Sequence, residues 1–237
     1  MISVTDVEEA AERIRPFART TPVIESTILD DAVGGRVFCK AESLQRTGSF
    51  KFRGATNAIA SLPDLRPDGV LTYSSGNHAQ AISRAAGLHG IAATVVMPTD
   101  APPIKRAATE HWGATIIDYD RYAESRAAVA DRLRSEIDAS LIPPYDHPAV
   151  MAGQGTTALE LFDQVEDLDM LVVCVGGGGL LAGCATVAKH RNPEIRVVGV
   201  EPEASDDHVR SRSSGRRVEL TGVPRTIADG QQITTPG

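Results

Sequence analysis

An α/β fold with parallel sheets in two lobes is what this sequence predicts, and three observations predict it. Short β-branched runs alternate with helical patterns from Gly69 onward. The alternation comes twice, over residues 70–118 and again over 155–200. In each unit a strand passes through a turn of small residues straight into a helix, at Ser74-Ser75-Gly76-Asn77 and at Gly176-Gly177-Gly178-Gly179. Strands joined through helices run parallel and need cover on both faces, which gives three αβα layers. Two such units imply two sheets with a cleft between them, and Leu141-Ile142-Pro143-Pro144 reads as the hinge.

The elements follow in order. Ser3 caps a helix whose first turn holds Glu8 or Glu9, and Arg15-Pro16 stops it. Arg36 to Lys40 reads as a strand after the Gly34-Gly35 turn, and a helix begins near Ser49 and runs to Ala60. The first repeated unit has a strand at Val70–Tyr73, a helix at Ala79–Gly87, a strand at Ala93–Met97 stopped by Pro98, and a helix at Ile104–His111. A strand at Ala114–Asp118 and a long polar helix at Tyr122–Ile137 complete it. The second unit has a helix at Gly155–Gln164, a strand at Met170–Val175, a helix at Leu180–His190 and a strand at Arg196–Val200.

Charge narrows the function classes. The chain carries 24 Lys and Arg against 31 Asp and Glu, a net charge of -7, with no basic stretch interleaved with aromatics. That pattern speaks against nucleic acid as a partner. No apolar run approaches the roughly 18 residues that would span a bilayer, and Met1 to Asp6 has neither the basic nor the apolar region of a secretion signal. Cys39, Cys174 and Cys184 lack metal-ligand spacing, so reduced thiols and a cytoplasmic setting are expected.

Two glycine-containing turns and one lysine carry the chemistry. Lys51 lies between Phe50 and Phe52, just after Thr47-Gly48. An ammonium among apolar side chains loses hydration and its pKa falls, and the neutral amine can form a Schiff base with an aldehyde. Gly176 to Gly179 follow a strand and open a helix. Four residues without Cβ let backbone N–H groups converge at a helix N-terminus, which makes a phosphate cradle. The G-x-x-x-x-G-K-[ST] pattern is missing, but Gly177-x-Gly179-x-x-Ala182 with Glu201 at the end of the next strand fits a loose dinucleotide pattern. A nicotinamide-dependent oxidoreductase is therefore an alternative. Ser74 to His78 form the second anion site, suited to a carboxylate, with Asn77 placed to bond a phenolic oxygen.

Taken together, the motifs resemble the fold-type II pyridoxal-phosphate enzymes of the threonine/serine dehydratase and serine racemase group, whose architecture is tryptophan synthase β-like. The segments are 42–55, around Lys51, 74–80, 96–98, 152–156, 176–180 and 226–230, in order along nearly the whole chain. The resemblance implies pyridoxal 5'-phosphate bound through Lys51, packed on by Phe50, bonded at its ring 3-oxygen by Asn77 and held at its phosphate by Gly176, Gly177, Gly178, Gly179 and Leu180. Ser74, Ser75, Gly76, Asn77 and His78 would hold the carboxylate of an amino acid substrate. The implied reaction is dehydration and deamination of threonine or serine to a 2-oxo acid and ammonia. Serine racemisation, with Ser75 as a second catalytic group opposite Lys51, and threo-3-hydroxyaspartate dehydration are alternatives. A bound Mg²⁺ or Ca²⁺ would take Glu201, the Ser205 carbonyl and Asp207. A homodimer is implied, with a small mobile lobe at 69–146 and a large lobe from 1–68 and 147–237. Family members continue on the order of 80 residues past the position of Gly237, which leaves a non-catalytic truncated remnant as a further reading.

Overall fold

The structure is a computed structural model that describes residues 1–62 and 69–237. Helix α1 (Val4–Ile14) starts at Ser3, whose hydroxyl accepts from the Asp6 N–H while the Asp6 carboxylate accepts from the Ser3 N–H. Asp6 therefore closes the capping box, because Glu8 and Glu9 lie beyond the third helical position. Strands β1 (Val23–Glu25) and β2 (Phe38–Lys40) pair antiparallel around helix α2 (Thr27–Val33). Helix α3 (Lys51–Ala60) then runs through the middle of the molecule, buried from Phe52 to Ile59.

The first repeated unit forms a parallel sheet in the order β5-β4-β3-β6, from β3 (Val70–Tyr73), β4 (Ala93–Pro98), β5 (Thr115–Tyr119) and β6 (Ser140–Leu141). Its helices are α4 (Asn77–Leu88), α5 (Pro103–His111) and α6 (Arg126–Glu136). Side chains alternate across a strand, so the sheet packs on both sides. Leu71, Val96 and Tyr119 meet Val129 and Ala130 of α6, while Val95 and Met97 meet Ala79 of α4 on the other face. The expected boundary at 68/69 lies outside the described residues.

The second unit contains α7 (Pro148–Gln164), β7 (Met170–Cys174), α8 (Gly179–Arg191), β8 (Arg196–Val200) and α9 (Asp207–Ser214), with β7 and β8 paired in parallel. Its core joins Val7 and Ala10 of α1, Ala158 and Leu161 of α7, Leu171 and Val173 of β7, and Val187 and Ala188 of α8. Helices α7 and α8 touch backbone to backbone: a Cβ on Gly183 would lie 2.6 Å from the Gly155 nitrogen. The opposite face of this sheet leaves Met170, Val172 and Val200 exposed.

Several expectations shift. The sequence reading lacked β1, α2, α9 and β6, which takes Leu141 from the expected hinge; these are short elements with little periodicity of their own. Helix α7 begins at Pro148 instead of Gly155, since proline suits a first helical turn and the glycines at 153 and 155 are demanded by contact with α3 and α8. Helix α6 begins at Arg126, because the Asp120 carbonyl and carboxylate accept from the Tyr122, Ala123 and Glu124 N–H groups and hold that stretch as a turn. The strand at Arg36 to Lys40 shortens to Phe38–Lys40.

Candidate active site

Lys51 opens α3 after a tight reversal in which Thr47 and Gly48 take φ values of 62° and 71°. Its amine donates to the Pro144 carbonyl at 2.6 Å and lies 5.4 Å from the Phe50 ring centre. The side chain keeps contact with the cleft, yet burial, helped by the positive charge of Arg126, pushes the amine down to about 8. At pH 7 that leaves about a tenth of the amine neutral, far more than an ordinary lysine offers.

Two residues further on, Arg53 anchors the helix. Its guanidinium is fully buried and donates to Glu42 Oε2 at 2.8 Å and to Glu160 Oε1 at 2.7 Å, while Lys40 donates to Glu160 Oε2 at 2.8 Å. Burial would raise the Glu160 carboxyl, but the bonds from Arg53 and Lys40 hold it below its ordinary value. Neighbouring elements are thus tied to the first turn of α3, so the lysine has a fixed base.

Two helix N-termini face that amine. In α8 the turn residue Gly178 takes φ 92°, a conformation that favours glycine, and its carbonyl accepts from the Ala182 N–H at 2.8 Å. A Cβ on Gly177 would collide with the Tyr145 ring, and one on Gly179 would lie 3.1 Å from the Tyr145 carbonyl oxygen. In α4 the Ser74 hydroxyl accepts from the Gly76 N–H at 3.2 Å, and Asn77 is the first helical residue. The opening N–H groups of each helix have no intrahelical partner and carry partial positive charge. Both turns, with Phe50, Lys51 and Leu180, line one cavity of about 250 Å³.

The structure therefore brings Phe50, Lys51, Ser74, Ser75, Gly76, Asn77, His78, Gly176, Gly177, Gly178, Gly179 and Leu180 to one place. The His78 ring is engaged elsewhere: Nε2 donates to the Ile142 carbonyl at 3.2 Å. Burial first, then Lys51, pushes its pKa down to about 3, so the ring stays neutral and His78 offers the cleft its backbone N–H. Glu201, Ser205 and Asp207 lie between the end of β8 and the first residue of α9, apart from the cavity lining. Both Glu201 oxygens accept backbone N–H groups, from His208 at 3.2 Å and Val209 at 2.8 Å. Glu201 does not line the cavity of the glycine turn, which takes the acid away from a ribose bound there in the dinucleotide alternative. Asp207 Oδ2 is buried without a partner, and burial raises its carboxyl, which is the kind of oxygen a cation would satisfy. Among the described residues no group of three or more His, Cys, Asp or Glu side chains forms a metal cluster.

The motif reading missed Arg126, Lys105 and Tyr145. Arg126 lines the cleft, donates to the Tyr145 hydroxyl at 3.3 Å and stacks its guanidinium 5.4 Å from the Tyr73 ring centre. Lys105 packs under Gly76 and pairs with Asp229 across the cleft. None of the three stands in a motif, and only the packing of α5, α6 and the segment before α7 brings them here.

A buried amine of lowered pKa, a glycine cradle for phosphate and a ring packed beside the amine suit a phosphorylated aldehyde cofactor. The comparisons agree with that class: the family described as "Pyridoxal-phosphate dependent enzyme" matches residues 14–237, and the chain belongs to it. Among individual relatives, the chain is 50% identical over 228 residues to an L-threo-3-hydroxyaspartate ammonia-lyase of Saccharomyces cerevisiae, covering 96% of this chain and 70% of that one. It is equally 50% identical over 228 residues to a serine racemase of Schizosaccharomyces pombe, with the same coverages. A threonine deaminase structure from T.th. superposes with a TM-score of 0.93 at 45% identity, over 99% of this chain and 76% of that one.

Proposed function

We propose that this enzyme removes water and ammonia from a β-hydroxy amino acid, with L-threo-3-hydroxyaspartate and serine preferred over threonine. The observation that carries the reading is one cavity in which two helix N-termini face a buried lysine of pKa about 8. One N-terminus suits the cofactor phosphate and the other the substrate carboxylate. The preference rests on two grounds. The three 50% identical relatives are named as L-threo-3-hydroxyaspartate ammonia-lyase, twice, and serine racemase. Arg126 also supplies a guanidinium that pairs with no carboxylate among the described residues, ready for a second substrate carboxylate. The expectation of threonine or serine, with hydroxyaspartate as an alternative, shifts toward that alternative on those grounds.

Pyridoxal phosphate, when bound, supplies an aldehyde for imine exchange and a ring that takes up the electrons left by the α-proton. Gly176 to Gly179 and the Leu180 N–H would hold its phosphate, with Phe50 beside its ring and Asn77 as the partner of its 3-oxygen; all of them line the one cavity. Lys51 would hold the cofactor through its aldehyde and, with its amine free, would serve as the base for the substrate α-proton. Ser74 and the first N–H groups of α4 hold the α-carboxylate. The β-hydroxyl departs as water, and hydrolysis of the product returns one water, so hydroxyaspartate becomes oxaloacetate and ammonia, and serine becomes pyruvate and ammonia. Ser75, in the same cavity, returns a proton to the α-carbon from the opposite face in a serine racemase reaction. The 69–146 lobe closes on substrate, Mg²⁺ or Ca²⁺ completes the Asp207 carboxylate with Glu201 and the Ser205 carbonyl, and the enzyme works as a cytoplasmic homodimer.

The test is a product panel on protein loaded with pyridoxal phosphate, with and without Mg²⁺ or chelator, following oxaloacetate, pyruvate, 2-oxobutyrate and D-serine. The expected result is highest kcat/KM on L-threo-3-hydroxyaspartate and loss of all products in Lys51→Ala. Dominant 2-oxobutyrate from threonine would overturn the substrate preference. A protein that develops no visible absorbance with the cofactor would overturn the enzyme.

A further inference from the structure

The four-glycine turn is held from behind. The Gly176 carbonyl accepts from His208 Nε2 at 2.6 Å, the Val175 carbonyl from Gln231 Nε2 at 2.7 Å, and the Gly177 carbonyl from the Gly237 N–H at 3.2 Å. A carbonyl can only accept, so the His208 proton sits on Nε2. The peptide bonds of the turn are trans. In a planar trans peptide the C=O of one residue and the N–H of the next point in opposite directions. Tying the Gly176 carbonyl back therefore aims the Gly177 N–H forward. His208 lies in a separate hollow behind the turn, with Val175, Leu181 and Glu201, and is not among the residues that line the active cleft. Its own position is fixed: the His208 and Val209 N–H groups both bond Glu201, which fastens the start of α9 to the end of β8.

We propose that His208 is a positioning residue for the phosphate site, holding the Gly176 carbonyl so that the Gly177 N–H points at the cofactor phosphate. The proposal rests on the pyridoxal-phosphate reading and adds a residue outside the turn. It touches neither substrate nor cofactor and acts through one peptide plane. Without it the plane is free to rotate, since glycine on both sides offers little steric resistance.

The experiment titrates pyridoxal phosphate and, separately, pyridoxal, which lacks the phosphate, into wild type, His208→Ala and His208→Gln, following visible absorbance. In His208→Ala the affinity for pyridoxal phosphate falls about tenfold, the size of one lost hydrogen bond to a fixed group, while pyridoxal capture by Lys51 is unchanged. His208→Gln, which keeps an N–H donor on a flexible stem, recovers most of the preference and serves as the folded comparator if the alanine variant is unstable. An unchanged preference for the phosphorylated form in His208→Ala would overturn the proposal, as would equal loss of both ligands. Wild type that takes up neither ligand would overturn the cofactor reading and this proposal with it. Wild type that takes up both, but without preference, would overturn the phosphate site alone.

Discussion

The two strand–turn–helix junctions that face Lys51 solve the same electrostatic problem with different materials. The 176–179 turn presents only backbone to the cleft: the Val175, Gly176 and Gly177 carbonyls are tied back by Gln231, His208 and Gly237, and Tyr145 lies too close to Gly177 for a side chain there. The 74–78 turn uses side chains: the Ser74 hydroxyl bonds the Gly76 N–H, the Ser75 hydroxyl and Asn77 line the cleft, and Lys105 packs under Gly76. A braced backbone suits a group that stays, such as a cofactor phosphate. Hydroxyls that rotate suit a group that arrives, reacts and leaves. The difference teaches that two anion sites of similar sequence pattern can be told apart by what holds their carbonyls.

The largest effect is expected at the buried ion cluster that anchors the helix carrying Lys51. Arg53→Met leaves Glu42 and Glu160 with a buried partner missing, and unfolding by denaturant should show a loss of about 3–5 kcal/mol. A change of only a few tenths would mean that α3 is held by packing and the ion cluster is incidental. Next comes the contrast itself. Gly177→Val drives a side chain into Tyr145, and overpacking of that kind costs about 1–3 kcal/mol, so cofactor affinity should fall roughly 10- to 100-fold. Ser74→Ala should instead raise substrate KM about tenfold and leave cofactor affinity as it was. Equal loss of cofactor in both variants would erase the distinction between the two turns.

A further effect is on pH. Burial lowers Lys51 from 10.5 in the unfolded chain to about 8 in the fold. Between those values the unfolded chain binds the proton more tightly, so the stability of the cofactor-free protein rises with pH across that window, and the cost is carried in full below about pH 8. Lys51→Met removes this dependence. The melting-temperature difference between variant and wild type should therefore change between pH 8 and 10.5, in the direction of wild type gaining. Parallel melting curves over that range would place the lysine in water and take away its reactivity.

Much of the cleft was legible in the linear order of residues. Lys51 between two phenylalanines, the tetraglycine turn and the Ser74 to His78 turn are contiguous, and each lies at a junction marked by a change from strand to helical pattern. His78 was legible only as a position: its ring turns inward and donates to the Ile142 carbonyl, which also accepts from the Thr72 hydroxyl. Arg126 was hidden in a polar helix whose charged face has no motif, and its role became visible only when Tyr73 and Tyr145 were placed beside it. Glu201 fits a ribose acid by spacing alone, and the two N–H donors that occupy it come from the following helix, which spacing does not show.

Local rules decided the alternation of strands and helices, the caps and the two anion turns, because backbone sterics and i to i+4 bonding act over a few residues. Tertiary packing decided which carbonyl faces which donor: Pro144 over Lys51, His208 behind Gly176, Glu160 against Arg53. Those partners stand 93, 32 and 107 residues apart. Nothing in short-range chain geometry brings such residues together, and only burial of the apolar faces of α3, α7 and α8 does so.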